Sequence, residues 1–401
     1  MRWRGGLGAL LATLFGAALA WALERTDVPA RNFFRAAFFV PFLVPPFIGA
    51  IGWLAVFGPV GYANAFYNRA TGSTGGLVDL YGPGGIIALL ALHSYPIVYL
   101  TVAAALRGVP ASLEEAARAS GAGRLHVALD VTLPFVSPAL VAGFILVFVS
   151  NLSDFGIPAL LGLPERYEVL PTLIYGYLVS GSADDPLGAA SSIGVVLLVL
   201  AGGALILQRR LSRRLDSDAP GPDPKPVSLG AARGPFAALL SVLALVITVA
   251  PVAALLVGAL LRAPGVPLTP ENLTLANLER ALVAPATIRG ATNSLLLASG
   301  AALFCGLLGA TVATLIVRAR SRLGGVLEAL TLGPQALPGT VIAVAWILTA
   351  IPVGLYGTKA VILFAYTTAF VARSPSKRCG ALWRTYPWPT KRPHGSPGPR
   401  P

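Results

Sequence analysis

Long runs of apolar residues set the strongest constraint on this 401-residue chain. A helix needs about 20 mostly apolar residues to cross the roughly 30 Å hydrocarbon core of a membrane. Only 12% of the residues are charged, about half the share in a soluble domain, which excludes a soluble globule. We therefore predict an all-α polytopic membrane protein with about nine transmembrane helices. The runs lie near residues 5–23, 36–57, 85–106, 134–152, 187–207, 236–261, 291–317, 329–353 and 360–372.

The net charge of +13 is interpreted as a mark of membrane topology. Arginine and lysine collect in the cytoplasmic loops of membrane proteins. When successive loops are assigned alternately to the two sides, one side is much richer in these residues and is predicted to be cytoplasmic. Binding of nucleic acid, another use of a basic surface, is not expected. The residues of the richer side are Arg25, Arg31, Arg35, Arg107, Arg118, Arg124, Arg209, Arg210, Arg213, Arg214, Lys225, Arg233, Arg318, Arg320 and Arg322, against Arg69, Arg166, Arg262, Arg280, Arg289 and Lys359.

The chain contains an internal repeat. A shift of 293 residues superposes two prolines four apart, followed eight residues later by tryptophan, without a gap. The superposed arginines lie on the same predicted side of the membrane, so the repeat is parallel. Parallel repeats are typical of two halves related by an axis along the membrane normal, with a pathway between them. The superposed pairs are Gly16 and Gly309, Arg25 and Arg318, Pro41 and Pro334, Pro45 and Pro338, and Trp53 and Trp346.

The repeat predicts two related halves, 1–214 and 236–373. Between them, residues 215–235 are rich in proline and aspartate, and we expect a semi-rigid cytoplasmic linker. The apolar run 236–261 precedes the second copy and has no counterpart in front of the first copy. We therefore expect the first half to lack its first span.

The most specific motif follows the third apolar run, where residues 109–123 read VPASLEEAARASGAG. Ser112 is predicted to be the N-cap of a short helix, and Glu115 to complete a capping box. Gly121 or Gly123 is predicted to end the helix in the left-handed conformation. The small side chains would let another protein approach the helix closely, although a capped connector between two spans remains an alternative.

This segment resembles the EAA loop of ABC-importer permeases, whose pattern is E-A-A, three residues, G, nine residues and I-x-L-P. Only Val131 departs from the pattern, in place of isoleucine. The resemblance covers about residues 1–373 and implies a type I importer-like permease with two membrane domains fused in one chain. It also implies that the loop, including Glu114, is a coupling helix that sits in a groove on a cytoplasmic ATPase subunit. The matching residues are Glu115, Ala116, Ala117, Gly121, Leu133 and Pro134.

The same resemblance implies the partners and the cellular location. Residues 151–162, which read NLSDFGIPALLG, resemble the ferric-iron branch of these permeases. A multi-pass protein of the inner membrane is implied, surrounded by lipid, with an extracytoplasmic substrate-binding protein as its outer partner. No lysine of the chain follows a glycine, as a phosphate loop requires. We therefore expect no enzymatic activity and no cofactor here, with ATP hydrolysis on a partner chain.

A few polar residues are candidates for further roles. His93, Ser94 and Tyr95 lie within the third run, where polar side chains line a pathway or bond to neighbouring helices. Asp154 lies at the outer end of its span and is a candidate contact for the binding protein; a solvated loop acid is the alternative. The two cysteines and three histidines lack the spacing of a metal site, so none is expected.

The last 28 residues have a different composition. Residues 374–401 contain seven prolines and six basic residues but no acidic residue. The apolar run before them ends after 13 residues, whereas the corresponding run of the first half has about 22. We predict a frameshift near Ser374. A basic tail that touches anionic lipid is the alternative.

These features together predict a permease subunit of an ATP-driven importer for ferric iron, coupled to its ATPase through the EAA loop. Thiamine, sulfate or phosphonate remain alternative cargoes. A secondary transporter is a second class, but it would more often carry ionisable groups within its spans. A membrane scaffold without transport activity is a third class, and it would not co-purify with an ATPase.

Overall fold

The computed structural model of the protein describes residues 4–180, 184–212, 226–263, 265–319, 334 and 337–371. About four-fifths of them are helical. The first unit of the fold contains α1 (Arg4–Arg25), α2 (Arg31–Leu43), α3 (Pro46–Phe57), α4 (Tyr62–Thr71), α5 (Gly82–Arg107), α6 (Ala111–Ala119), α7 (Arg124–Ser153), α8 (Gly156–Gly162), α9 (Leu170–Ser180), α10 (Pro186–Ser212), α11 (Gly230–Leu260) and α12 (Ala276–Val283). There follow α13 (Pro285–Ala319), α14 (Gly339–Ala350) and α15 (Lys359–Phe370).

Among these described residues, seven helical segments are long and apolar enough to cross a membrane. Three shorter apolar helices, α9, α14 and α15, accompany them. The prediction of an all-helical polytopic membrane protein is confirmed. The seven segments lie within α1, α5, α7, α10, α11 and α13, and in the stretch Pro46–Thr71 that joins α3 to α4.

The predicted run 36–57 is two helices rather than one. α2 ends at Leu43, and α3 begins at Pro46 after Val44 and Pro45 adopt extended backbone conformations. Proline has no N–H to donate and disfavours a helical residue before it. Two successive prolines therefore break the helix inside this span instead of merely bending it.

The start of the helix after this break recurs in the second copy of the repeat. A shift of 293 residues carries the bounds of α3 onto those of α14. Pro45 and Pro338 precede these helices with nearly equal dihedral angles, φ −53° and ψ 138° against φ −58° and ψ 139°. The first helical bonds also correspond, from Gly49 N to Pro45 O at 2.9 Å and from Ile342 N to Pro338 O at 3.1 Å. The sequence repeat is therefore a repeat of backbone conformation.

The first compact unit ends at Thr287. Its centre is formed by α1, α5 and α7, which pack along one another. Gly16 lets α1 approach α5 so closely that a Cβ atom there would lie 2.6 Å from Tyr95 O. Helix α11, the predicted first span of the second half, packs on α2 and α3. By packing, α11 therefore belongs to the same compact unit as the first half. The sequence repeat instead assigns α11 to the second half, after the linker.

The loop between α3 and α5, predicted to lie on the outer side, is organised around Asn64 on α4. The Asn64 side chain is buried, and its Nδ2 donates to Phe57 O, Gly58 O and Val78 O at 2.7, 3.1 and 2.8 Å. Its Oδ1 accepts hydrogen bonds from the backbone N–H groups of Leu77 and Val78. One side chain thus joins both ends of the loop between α3 and α5.

The second compact unit begins at Ile288. Trp346 on α14 stacks on Phe364 of α15 with 5.3 Å between the ring centroids, and its Nε1 donates to Thr368 Oγ1 at 3.1 Å. Cys305 on α13 is a buried free thiol whose Sγ lies 3.5 Å from Thr367 O. Stacking and hydrogen bonding between helices thus hold the described part of this unit together.

The predicted linker and tail are only partly described. Residues 226–229 lead into α11 at Gly230, six residues before the predicted span begins. Residues 215–225 and the aberrant tail 374–401 lie outside the described residues, as does most of the segment 329–338 that was predicted to open a span.

Candidate functional site

The segment that resembles the EAA loop forms the short helix α6. The helix begins at Ala111, and its N-cap position is Pro110 in extended conformation. Ser112 lies inside the first turn, so the prediction that Ser112 is the N-cap is wrong. The reason is that Pro110 sets the start of the helix two residues earlier, because a proline can precede the first turn without losing a backbone donor.

The end of α6 agrees with one of the two predicted stops. Gly121 has φ +90°, and its N–H donates to Arg118 O at 3.0 Å. Ala122 N donates to Ala117 O at 3.0 Å, which completes a Schellman motif. Gly121, and not Gly123, is the left-handed residue, so the length of the helix is fixed by this position.

Gly121→Ala should loosen the end of α6. An alanine at positive φ costs about 1–2 kcal/mol, whereas Gly123→Ala has open space around it and no such strain. Amide hydrogen exchange of α6 in the detergent-solubilised chain measures the difference. We expect faster exchange in Gly121→Ala only; equal exchange in the two variants would contradict the role of Gly121.

The Glu114 carboxylate forms the centre of the site. Glu114 is only 3% exposed, and its Oε1 pairs with Arg25 Nη2 at the end of α1. Thr132 Oγ1 donates to the same carboxylate oxygen at 2.9 Å. Arg118, one turn further along α6, places its Nη2 3.7 Å from Oε2. One carboxylate therefore joins α6 to both α1 and α7.

Arg25 is as deeply buried as its partner, at 3% exposure. Its guanidinium carbon lies 5.8 Å from the centroid of the Trp21 ring, within the range of a cation–π contact. Its Nε and Nη1 have no hydrogen-bond partner among the described residues. Removing one partner of a buried ion pair leaves an uncompensated charge and costs about 3–5 kcal/mol. Arg25 and Glu114 therefore depend on each other.

The other residues of the predicted coupling loop lie on the surface or near it. Glu115 and Ala116 are exposed, and Ala117 is half-buried. Val131 lies in a π-helical turn, Val127–Thr132, at the start of α7, and exposed Leu133 and Pro134 follow it. A wide turn before Pro134 fits the missing N–H of that proline. The structure thus presents an exposed helix with one buried anchor.

The three candidate pathway residues on α5 have different surroundings. Ser94 Oγ donates to Asn151 Oδ1 at 2.5 Å, and Tyr95 Oη donates to Phe38 O at 2.6 Å; both side chains are buried between helices. His93 instead lines a cavity of about 50 Å³ beside Trp53 and Thr248. The rest of the cavity wall is apolar and comes from α2, α3, α5, α8 and α11.

Asp154 follows α7 and begins α8. It is half-buried, and its Oδ1 accepts a hydrogen bond from Ile157 N at 3.0 Å. Burial raises the pKa of the Asp154 carboxyl, and the backbone N–H groups of Ile157 and Gly156 partly oppose this shift. The carboxylate therefore has a structural use in the turn between the two helices.

The raised pKa of Asp154 predicts a pH-dependent stability. Because the folded state binds this proton more tightly than the unfolded state, the contribution is most favourable at low pH and declines as the pH rises toward the folded-state pKa. Asp154→Asn keeps an acceptor for Ile157 N but does not titrate. We expect the thermal midpoint of Asp154→Asn to exceed that of the wild type by more at about pH 8 than at about pH 4. A difference between the two midpoints that is the same at both pH values would exclude this titration.

Two residues of the site were not identified as site residues from the sequence. Arg25 was used as a marker of topology and of the repeat, and Thr132 was the variable position of the V-T-L-P segment. The signal that could have found Arg25 is its recurrence as Arg318 under the repeat shift. Its pairing with Glu114 joins residues 89 positions apart and depends on the packing of α1 against α5 and α7.

Comparison with known proteins places the chain in a family. Residues 12–217 match the family described as binding-protein-dependent transport system inner membrane component. The chain is 32% identical over 205 residues to the putative ferric transport system permease protein FbpB 1 of Haemophilus influenzae, covering 51% of this chain and 31% of that protein. It is 26% identical over 209 residues to the molybdenum transport system permease protein ModB of Escherichia coli K12, covering 52% and 88%.

A third relative is the probable sulfate transport system permease protein cysT of Prototheca wickerhamii, 32% identical over 197 residues, which are 49% of this chain and 74% of that protein. The chain spans about a third of the length of the ferric relatives that it matches. The family match covers half of the chain, and the described helices are those of a multi-pass membrane protein. The chain therefore belongs to the inner-membrane permease components of binding-protein-dependent ABC importers.

Proposed function

We propose that this chain forms the membrane pathway of an ATP-driven importer and is driven by a cytoplasmic ATPase through α6. The observation that carries the proposal is the exposed helix α6, which has the spacing of an EAA loop and is anchored to α1 by a buried ion pair. An exposed face on a firmly held helix suits a surface that receives force from a partner. That partner hydrolyses ATP, and an extracytoplasmic binding protein delivers the cargo.

The two halves have matching roles in this proposal. Residues 1–214 and 236–373 would form two permease halves, joined by the linker 215–235. The equal conformation before α3 and α14 supports a common design of the halves. His93 is the candidate pathway residue with the most support, because it faces a cavity, whereas Ser94 and Tyr95 bond to neighbouring helices. Asp154 remains a proposed contact for the binding protein.

Ferric iron is the proposed cargo, and an oxyanion is the second candidate. The ferric permeases of two bacteria are among the relatives, and residues 151–162 resemble that branch. Molybdate or sulfate is favoured by a different observation: the match covers 88% of ModB and 74% of cysT. Fe(III) is a cation, whereas molybdate and sulfate are oxyanions of the same charge, so each cargo is labelled and measured separately in one assay.

The test is uptake into proteoliposomes that contain the full chain and its co-expressed ATPase. The binding protein is added outside with labelled Fe(III), molybdate or sulfate, and ATP is enclosed within the vesicles. We expect ATP-dependent accumulation of Fe(III). Accumulation of an oxyanion would replace the proposed cargo, and accumulation that follows an ion gradient without ATP would indicate a secondary transporter.

A second measurement tests the contact with the ATPase separately from transport. The ATPase should co-purify with the chain in mild detergent, and Ala116→Trp, which places a bulky ring on the exposed side of α6, should reduce the amount recovered. Co-purification that is unaffected by this change would place the ATPase contact elsewhere. Failure of the wild-type chain to retain any ATPase would favour a scaffold without transport activity.

A further inference from the structure

The turn that ends α1 is joined to two other segments of the same unit. On one side, the Arg25 guanidinium pairs with the buried Glu114 carboxylate of α6. On the other side, its backbone O accepts a hydrogen bond from Val227 N at 2.7 Å. The same residue thus contacts α6 through its side chain and the end of the linker through its backbone.

Further hydrogen bonds strengthen the contact with the linker. Asp27 N donates to Val227 O at 3.3 Å, and Asp27 Oδ1 accepts a hydrogen bond from Leu229 N at 2.8 Å. Arg124, at the start of α7, donates through Nη1 to Ser228 O at 3.4 Å. Residues 226–229 are therefore held by the α1–α2 turn and lead directly into α11 at Gly230.

Helix α11 extends from this anchored segment to the cavity that His93 lines. Ile247 and Thr248 of α11 contribute to the cavity wall, and Thr248 Oγ1 donates to Ala37 O on α2 at 2.9 Å. A chain of direct contacts therefore leads from α6 through Arg25 and residues 226–229 to the cavity. Each contact is a hydrogen bond, a buried ion pair or a continuous helix.

We propose that Arg25 is a positioning residue, which fixes α6 to the α1–α2 turn so that displacement of α6 is passed through residues 226–229 to α11. This inference rests on the proposed function, since it assumes that α6 is displaced by an ATPase. The anchor is Glu114, whereas its exposed neighbour Glu115 carries the EAA pattern. The Arg25 and Glu114 charges are both buried, and breaking their ion pair would leave each without its partner. We therefore expect that α6 cannot move away from α1 without a large loss of stability.

The anchor itself is tested by hydrogen exchange on the full chain in detergent, without any partner. Glu114→Gln keeps the shape and the acceptor for Thr132 but removes the charge, and Arg25→Met removes the other charge. In each variant, amides of α6 should exchange about tenfold faster than in the wild type. The double variant should be no faster than the single ones, because the two charges act as a pair.

A matched control comes from the neighbouring ion pair of α1 and α2. Arg35 Nη2 lies 2.5 Å from Glu24 Oε2 and does not contact α6. Glu24→Gln should leave the exchange of α6 unchanged. Equal exchange of α6 in the wild type and Glu114→Gln, or equal acceleration in Glu24→Gln, would overturn the proposed anchor whether or not the protein transports anything.

The positioning role is tested by the number of cargo molecules imported per ATP hydrolysed in the proteoliposomes. We expect Arg25→Met to lower this ratio about tenfold while the ATPase still co-purifies, and Arg25→Lys, which keeps the charge, to restore much of it. An unchanged ratio in Arg25→Met would overturn the inference. Absence of uptake by the wild type would instead overturn the proposed function, with the exchange result standing separately.

Discussion

Replacing Gly16 with alanine should lower the stability of the first unit by about 2–3 kcal/mol, since overpacking a close contact forces helices apart. A Cβ atom at this position would lie 2.6 Å from Tyr95 O, 2.9 Å from Val98 Cβ and 3.1 Å from Tyr99 N. Two of these atoms belong to the backbone of α5, so a side-chain rotation cannot relieve the clash. Small residues at helix contacts are what let transmembrane helices approach closely.

The measurement is the unfolding midpoint of the detergent-solubilised chain, followed by tryptophan fluorescence. Gly203→Ala is the matched control, because Gly203 lies in α10 with no atom within 4 Å of an added Cβ. We expect a lower midpoint for Gly16→Ala and an unchanged or higher one for Gly203→Ala, since alanine favours a helix. A midpoint of Gly16→Ala equal to that of the wild type would show that α1 and α5 separate easily.

The second large effect is expected at Asn64. Asn64→Leu has a similar size but leaves five backbone hydrogen bonds of the outer loop without their partner. An unsatisfied buried polar group costs about 1–3 kcal/mol, so we expect a loss of about 3 kcal/mol or more even if water reaches some of these groups. The loop between α4 and α5 should then become a site of rapid proteolysis.

Asn68 provides the comparison for this prediction. It lies one turn along α4 and is half-buried, and its side-chain Oδ1 accepts a hydrogen bond from Gly76 N at 3.0 Å. Asn68→Ala should cost about 1 kcal/mol and change the rate of loop cleavage little. Similar rates of cleavage in the two variants would show that Asn64 does not organise the loop. Limited proteolysis of the solubilised chain, followed by mass spectrometry, gives both rates.

The sequence predicts the membrane helices well because hydrocarbon imposes a minimum length on every apolar run. It also predicts the repeat, since the paired prolines and tryptophan mark a helix that begins at the equivalent position in each half. The extent of the break at Pro45 could not be predicted, because the same residues are compatible with one kinked helix and with two separate helices. Helices α8 and α9, at seven and 11 residues, are too short to give a spanning signal.

The candidate site was likewise only partly predictable from the sequence. Local residues alone predicted α6 and a stop at Gly121 or Gly123, because helix ends depend on local residues. Spacing could not show that Glu114 is buried while Glu115 is exposed. Adjacent residues of a helix point in different directions, and which of the two is buried depends on where a partner helix packs. That partner is α1, and no local pattern records where α1 packs.

The contacts of Arg25 also set an order for biosynthesis. Glu114 follows Arg25 by 89 residues and Leu229 follows Asp27 by 202 residues. At about 5–20 residues per second, the ribosome delivers the carboxylate about 4–18 s after the arginine, and the linker contact about 10–40 s after the turn. During that interval the guanidinium lacks the carboxylate that pairs with it in the folded protein. The junction of α1, α6 and residues 226–229 is thus completed well after its first member is made.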